Sequence, residues 1–285
     1  MVLLVRFGEL ALKSPYVRRQ LRDRLVANIQ DLFAVDEIEC LTRADHARVY
    51  VDVDDIPAAS SALRRVFGIV SFSPARETTS DPEDIAKVVL ELAKDRLRDG
   101  GSFAIRARRS GTHPYTSQDL AKLLGRRVQD AVPKATVNLN APEVEIHAEV
   151  RENRGFVFTE IVDGPGGLPL GSQGRGLALV DSDAGMVAAW LAMKRGCKVT
   201  VAAANGTKAH DALRRWDPHL KVLSWERDVD LQELVRVSRS EAVFLGSRIA
   251  EVESTKPALE VPVFHPVVGL DDVRLREIAA RIRSA

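Results

Sequence analysis

The 285 residues are 45% hydrophobic and 28% charged, which is enough apolar material to bury cores and excludes a disordered chain; the length points to two or three domains. With 41 basic against 40 acidic side chains, bulk charge marks no partner, so any nucleic-acid surface has to be a local patch. Two cysteines, Cys40 and Cys197, without a CxxC pair, exclude a disulfide framework and the usual zinc or iron–sulfur spacings, and are expected as reduced, buried thiols. Arg6 and Glu9 interrupt the first hydrophobic run and no long apolar segment follows, so neither a signal peptide nor a membrane association is expected and the protein is expected to be cytoplasmic.

The opening MVLLVRF reads as a strand. A helix is predicted over 16–33, with Leu21, Leu25, Ile29 and Leu32 at helical spacing. Arg18, Arg19, Arg22 and Arg24 cover much of its remaining surface, either as a solvated face or as one that meets a nucleic-acid backbone. Strands follow over 37–41 and 47–53, the second alternating Val49, Val51 and Val53, and then a helix over 56–67 that Gly68 stops. This succession makes a ferredoxin-like unit plausible. Ser80 and Asp81 before Pro82 open another helix, with Ile85, Val88, Val89 and Leu92 as its stripe and its end near Gly100.

In SFAIRARRSG, from Ser102, alternation places Phe103 and Ile105 on one face of a strand and Arg106 and Arg108 on the other, with Arg109 at the strand end. The next helix starts from Thr116 or Ser117 and carries Lys122, Arg126 and Arg127 toward its C-terminal turn. This positive charge is either a phosphate-binding surface or a set of ion pairs with nearby carboxylates, and the residues by themselves leave both open.

A glycine-rich run, GPGGLPLGSQGRG, leads into a short apolar strand over 177–180, the turn VDSDAG, and a helix over 186–195 ended by Gly196. Strand, turn and helix is the layout whose unpaired amides can hold a phosphate, but Asp181 and Asp183 stand where such a cradle would want glycine. Strands are predicted over 197–204, 221–225, 242–245 and 261–265, and helices over 208–215, 231–237 and 271–282, which makes a mostly parallel five-stranded sheet with helices on both faces. His113, His210 and His265 are scattered, so no metal site is expected. Asp271 and Asp272 read as helix-start charges, and no GxGxxG follows a strand as a dinucleotide site would need.

VFGIVSFSPA, SFAIRARRSG with TSQDLAKLLG, and NLNAPEVEIHAEVRENRGFVFTEIVDGPGGLPLGSQG resemble the THUMP domain and its exit segment in the tRNA 4-thiouridine synthase (tRNA sulfurtransferase) family. The opening VRFGELALKSPYVRRQLRDRLVANIQ is similar to that family's start. The resemblance implies a combined α/β and α+β fold. Its parts are an N-terminal ferredoxin-like domain over 1–58, a THUMP domain over 59–163, a linker over 164–176, and a Rossmann-like PP-loop (ATP-pyrophosphatase) domain over 177–285. It further implies a grip on the acceptor end of tRNA, carried onto Lys13, Arg18, Arg106, Arg108 and Arg109, with Lys122 on the neighbouring helix.

The PP-loop signature SGGxDS is not kept. Aligned through VAAW, its first serine is Val180, its glycines are Asp181 and Ser182, its aspartate is Ala184 and its last serine is Gly185. The family's glycine after the fourth strand matches Gly246, while its glutamine aligns with Thr255. Leu179, Val180, Asp181, Ser182, Gly246 and Thr255 thus mark a vestigial nucleotide site, in which Asp181 or Asp183 is expected to cap the helix amides. The catalytic cysteine of active members has no counterpart, no rhodanese domain is expected, and no catalytic residue is assigned. The reading is a tRNA-binding protein without ATP-pyrophosphatase activity and without cofactors. Its alternative is an active sulfurtransferase using ATP and magnesium, adenylating uridine through a rearranged loop or with a partner's sulfur. A homodimer, and a sulfur-carrier or modification-enzyme partner, stand as further expectations.

Overall fold

The structure is a computed structural model and describes residues 1–8, 14–205, 207–226, 230–252 and 259–284. The first elements are β1 (Val2–Phe7), α1 (Pro15–Val35), β2 (Leu41–Ala44), β3 (Val49–Asp52), α2 (Ile56–Leu63) and β4 (Ile69–Thr79). Their strands lie in the order β2-β3-β1-β4, the ferredoxin-like arrangement. Leu21, Leu25, Ile29, Leu32 and Phe33 form the buried stripe of α1, as the spacing predicts. The strand expected over 37–41 lies later, at Leu41–Ala44, because α1 runs on to Val35 and Glu37 takes a left-handed φ of 56° in the turn that follows. α2 ends at Leu63 instead of near 67, and β4, which alternation did not single out, begins one residue after Gly68 at φ 99°.

The same sheet continues as β4-β8-β7-β5-β6, with β9 pairing β4. These strands are β5 (Gly101–Ser110), β6 (Ala135–Val137), β7 (Val144–Arg151), β8 (Arg154–Phe158) and β9 (Val162–Asp163), interleaved with α3 (Pro82–Arg96) and α4 (Ser117–Ala131). Asp81 caps α3 through the amides of Glu83 and Asp84, and Pro82 takes the first helical position. Thr116 and Asp119 form a reciprocal capping box on α4. Ile85, Val89, Leu120, Leu124 and Val128 of the helices pack on Phe103, Ile105, Ile146 and Val150 of the strands. Each such aliphatic side chain contributes roughly 1.5–3 kcal/mol by leaving water.

The remaining elements are β10 (Gln173–Val180), α5 (Asp183–Lys194), β11 (Cys197–Ala204), β12 (Lys221–Trp225), α6 (Leu231–Ser238), β13 (Ala242–Phe244), α7 (Ile249–Val252), β14 (Val263–Phe264) and α8 (Asp272–Ser284). The helix expected over 208–215 is reduced to a 3-10 turn at Asp211–Arg215. All pairings in the sheet β12-β11-β10-β13-β14 are parallel. Along β10, Ala178 and Val180 face α5 and α8, whereas Leu177 faces Leu234 and Val235 of α6, so helices cover both sides as expected. On the α5 side, Trp190 and Trp216 meet edge to face at 5.2 Å and Phe67 stacks on Trp216 at 5.2 Å.

By packing, the chain divides into two compact units. One comprises Met1–Leu4, Tyr50–Ile56 and Phe72–Val162; the other comprises Val5–Val49, Pro57–Ser71 and Asp163–Ala285. Among the described residues no helix is long and apolar enough to cross a membrane.

Candidate functional site

Two places carry the residues singled out from sequence. The first is the β5 region. Arg106 and Arg108 leave the strand on the face opposite Phe103 and Ile105, which turn into the core against α4. Register places Arg106 beside His147 and Arg108 beside Glu149 of β7. Arg106 is held within the fold: its guanidinium lies 2.7 Å from Glu145 Oε1 and donates to the Leu139 carbonyl at 2.9 Å. Arg108 is exposed on the same face, and no partner meets it among the described residues. Arg109, also exposed, donates to the Gly111 carbonyl at 3.0 Å.

Lys122 is exposed on α4, which packs on the other face of the strand from Arg106 and Arg108, so the predicted cations do not form one row. Arg18 is half-buried on α1, and Lys13 lies outside the described residues. At the α4 cap, hydrogen bonds from the Thr116 side chain and amide hold the Asp119 carboxyl below the usual carboxylate range. Burial and the Asp81 carboxylate push the Tyr115 phenol up, against an opposing pull from Arg109.

A polar row escaped the sequence reading. Glu145, His147, Glu149 and Arg151 alternate along β7, and Glu149 and Arg151 are 5% and 9% exposed with 3.4 Å between their charged groups. On β8, Arg154 lies 4.2 Å over the Tyr50 ring and 4.9 Å over Phe156 while pairing with Glu77 at 2.5 Å. The period-two run of charges in VEIHAEVR was the signal that could have found it.

The second place is the start of α5. β10 ends at half-buried Leu179 and buried Val180, and Asp181 and Ser182 make the turn. The N-cap is Ser182, with φ −152°, rather than Asp181 or Asp183. Its Oγ accepts from the Gly185 amide at 3.4 Å and donates to Asp181 Oδ1 at 2.8 Å. Asp183 turns away to an ion pair with Arg283 of α8. The physical reason is that serine reaches the third amide of the helix from an extended backbone, which frees both aspartates for other partners.

Backbone closes this site further. A Cβ at Gly246 would stand 2.4 Å from the Gly185 nitrogen, and one at Gly185 would stand 2.4 Å from the Leu179 carbonyl oxygen. Strand end, helix start and the segment after β13 are therefore in direct backbone contact. Thr255 lies outside the described residues. The two cysteines are half-buried and unpaired, rather than buried. Burial raises the pKa of each thiol, more than Arg195 lowers that of Cys197, so both are protonated thiols near neutrality. Among the described residues no group of three or more His, Cys, Asp or Glu side chains is placed to hold a metal ion.

Comparison with known proteins agrees with this architecture. Residues 2–73 match the ThiI ferredoxin-like domain and residues 79–160 the THUMP domain. A probable tRNA sulfurtransferase of Methanosarcina acetivorans is 33% identical over 333 positions that take in 99% of this chain and 81% of the relative. Its counterpart in Methanothermobacter thermautotrophicus is 31% identical, with 99% and 84% covered. The chain belongs to the tRNA sulfurtransferase family.

Two solved structures share the fold. A protein from Pyrococcus horikoshii Ot3 superposes with a TM-score of 0.84 at 26% identity, covering 99% of both chains. A 4-thiouridine synthetase, solved as an RNA complex with bound ATP, superposes with a TM-score of 0.82 at 20% identity, covering 99% of this chain and 84% of that one. The 333 aligned positions exceed the 285 residues here, so the Methanosarcina relative carries segments without a counterpart in this chain.

Proposed function

We propose that this protein is a tRNA-binding member of its family in which the PP-loop cleft no longer activates a nucleotide. The observation that carries the reading is the start of α5. Ser182 accepts the Gly185 amide, Asp181 accepts the Ser182 hydroxyl, and Asp183 holds Arg283. A pyrophosphate needs free amides and close backbone approach; here the Ser182 side chain takes the Gly185 amide, Gly246 packs against that same amide, and the Asp181 carboxylate stands beside the cap. The residues present do not fit ATP at this position. Two protonated, half-buried thiols also supply no nucleophile for carrying sulfur.

Retention of the tRNA grip rests on the THUMP and ferredoxin-like segments and on Arg108 and Arg109, which remain exposed at the end of β5. These contacts would be to phosphates and would position tRNA without reading its sequence. The protein is expected to bind tRNA with an affinity that falls steeply with salt, and to release no pyrophosphate from ATP with or without tRNA. Both are measured on the purified chain, by filter binding across a salt series and by a coupled pyrophosphate assay. The second reading, an active sulfurtransferase with a rearranged loop, is favoured by the names of relatives at 33% and 31% identity, and tRNA-dependent pyrophosphate release would establish it in place of the first.

A further inference from the structure

Arg24 of α1 belongs to neither site described above. The helical repeat puts Arg24, Asn28 and Asp31 on one side of α1, and this side lines a cavity of about 340 Å³ within the second unit, closed by Arg65, Arg175 and Lys198 among others. Leu170 and Gly171 form part of its wall, and the Asn28 amide donates to the Leu170 carbonyl at 3.1 Å. Gly171, at φ 77°, presents bare backbone toward Arg24, whose Nη1 would lie 4.0 Å from a Cβ there.

The charges around this cavity do not balance locally. Lys198 Nζ lies 2.8 Å from each oxygen of Asp217, which is 1% exposed and also accepts from the His219 amide at 3.1 Å. Asp31 pairs with His219 at 3.0 Å. Arg65 pairs with Asp36 at 2.5 Å and donates to the Arg215 carbonyl at 3.0 Å. Each carboxylate lining the cavity thus has a side-chain partner of its own. Arg24 and Arg175 have no ion-pair partner among the described residues, so two guanidinium groups line a concave space whose own carboxylates are already engaged.

We propose that this cavity is a binding site for a compact phosphorylated ligand, with Arg24 and Arg175 as its phosphate-holding residues. Guanidinium forks match the geometry of phosphate oxygens, and Arg24 and Arg175 are both exposed, so their forks are open to a ligand arriving from solvent. The aromatic part of the wall, Phe67 and Trp216, is 1% and 4% exposed and stacked on itself, so it offers no free ring face for a base. The site therefore selects for the phosphate group. None of its residues lies on β5 or at the start of α5, so the inference does not depend on the function proposed above.

The test is calorimetric titration of the full chain with inorganic pyrophosphate at constant ionic strength, with the fluorescence of Trp216 as a second signal, for the wild type and for Arg24→Gln with Arg175→Gln. Saturable binding that weakens roughly tenfold or more in the double variant, at unchanged melting temperature and unchanged tRNA affinity, is expected. Absence of saturable binding at millimolar pyrophosphate overturns the proposal, as does equal affinity in the double variant. Loss of tRNA affinity in a double variant whose parent binds no pyrophosphate would assign both arginines to RNA backbone instead, and also overturns it. The tRNA affinity of the Arg108 and Arg109 variants reports separately on the RNA surface.

Discussion

At the first turn of α5, Ser182, Asp181 and Asp183 supply the chain's own acceptors to a helix N-terminus and to Arg283; at the end of β5, Arg108 and Arg109 stand exposed, with only the Gly111 carbonyl as a described partner. Both are places where an anion is electrostatically welcome. One is satisfied internally and the other is left to solvent. The contrast teaches that a fold and its sites are separable questions: a buried core lies beneath the α5 turn as one lies behind the arginines of β5, whatever either place binds.

The largest expected effect lies on the open side. Arg108→Ala with Arg109→Ala should weaken tRNA binding by about tenfold or more at low salt and reduce the magnitude of the log–log salt slope by about two, as filter binding would show. An unchanged affinity would break the comparison at its exposed half.

On the closed side, Gly246→Ala should destabilise the protein by about 2–3 kcal/mol in urea unfolding, because its methyl carbon would meet the Gly185 nitrogen at 2.4 Å. A neutral result would mean that the cleft is looser than the contacts indicate. Ser182→Ala should cost about 1 kcal/mol through loss of the α5 cap, whereas Asp181→Ala should cost less. Arg283→Ala should cost no more than about 0.5 kcal/mol, since both members of its pair with Asp183 are nearly half exposed.

The smallest effect separates the two helix starts by pH. Thr116 holds Asp119 below its unfolded range, so the stabilising contribution of this carboxylate is present above the unfolded value and is lost as pH falls through the folded one. Amide exchange at the first turn of α4 should accelerate over that acid window, and Thr116→Val, which keeps the amide bond to Asp119 but removes the hydroxyl, should reduce the dependence.

Much of this was readable from the chain, for identifiable reasons. Caps such as Asp81 and Thr116 act within three residues, and the alternation of β5 and the apolar run of β11 state their own burial. β4 was not legible, because Pro74 and charged Arg76 and Glu77 interrupt its pattern, and its edge partners β1 and β8 come from distant sequence. At the α5 start, Asp181, Ser182 and Asp183 are all good caps by type, so the turn was recognisable but its occupant was not. The choice depends on Arg283, one hundred residues away, which draws Asp183 aside. In the same way Glu145, far from Arg106 in sequence, decides that this arginine is internal while Arg108 is not.

The approach of Gly185 to the Leu179 carbonyl also constrains descent. The resemblance sets Gly185 against the last serine of the phosphate loop; a serine placed there alone would drive its Cβ to 2.4 Å from that oxygen. The backbone has to open before the side chain can revert. On the proposed function, a lineage carrying this turn would regain a phosphate-binding loop only through a less stable intermediate, or by several changes at once.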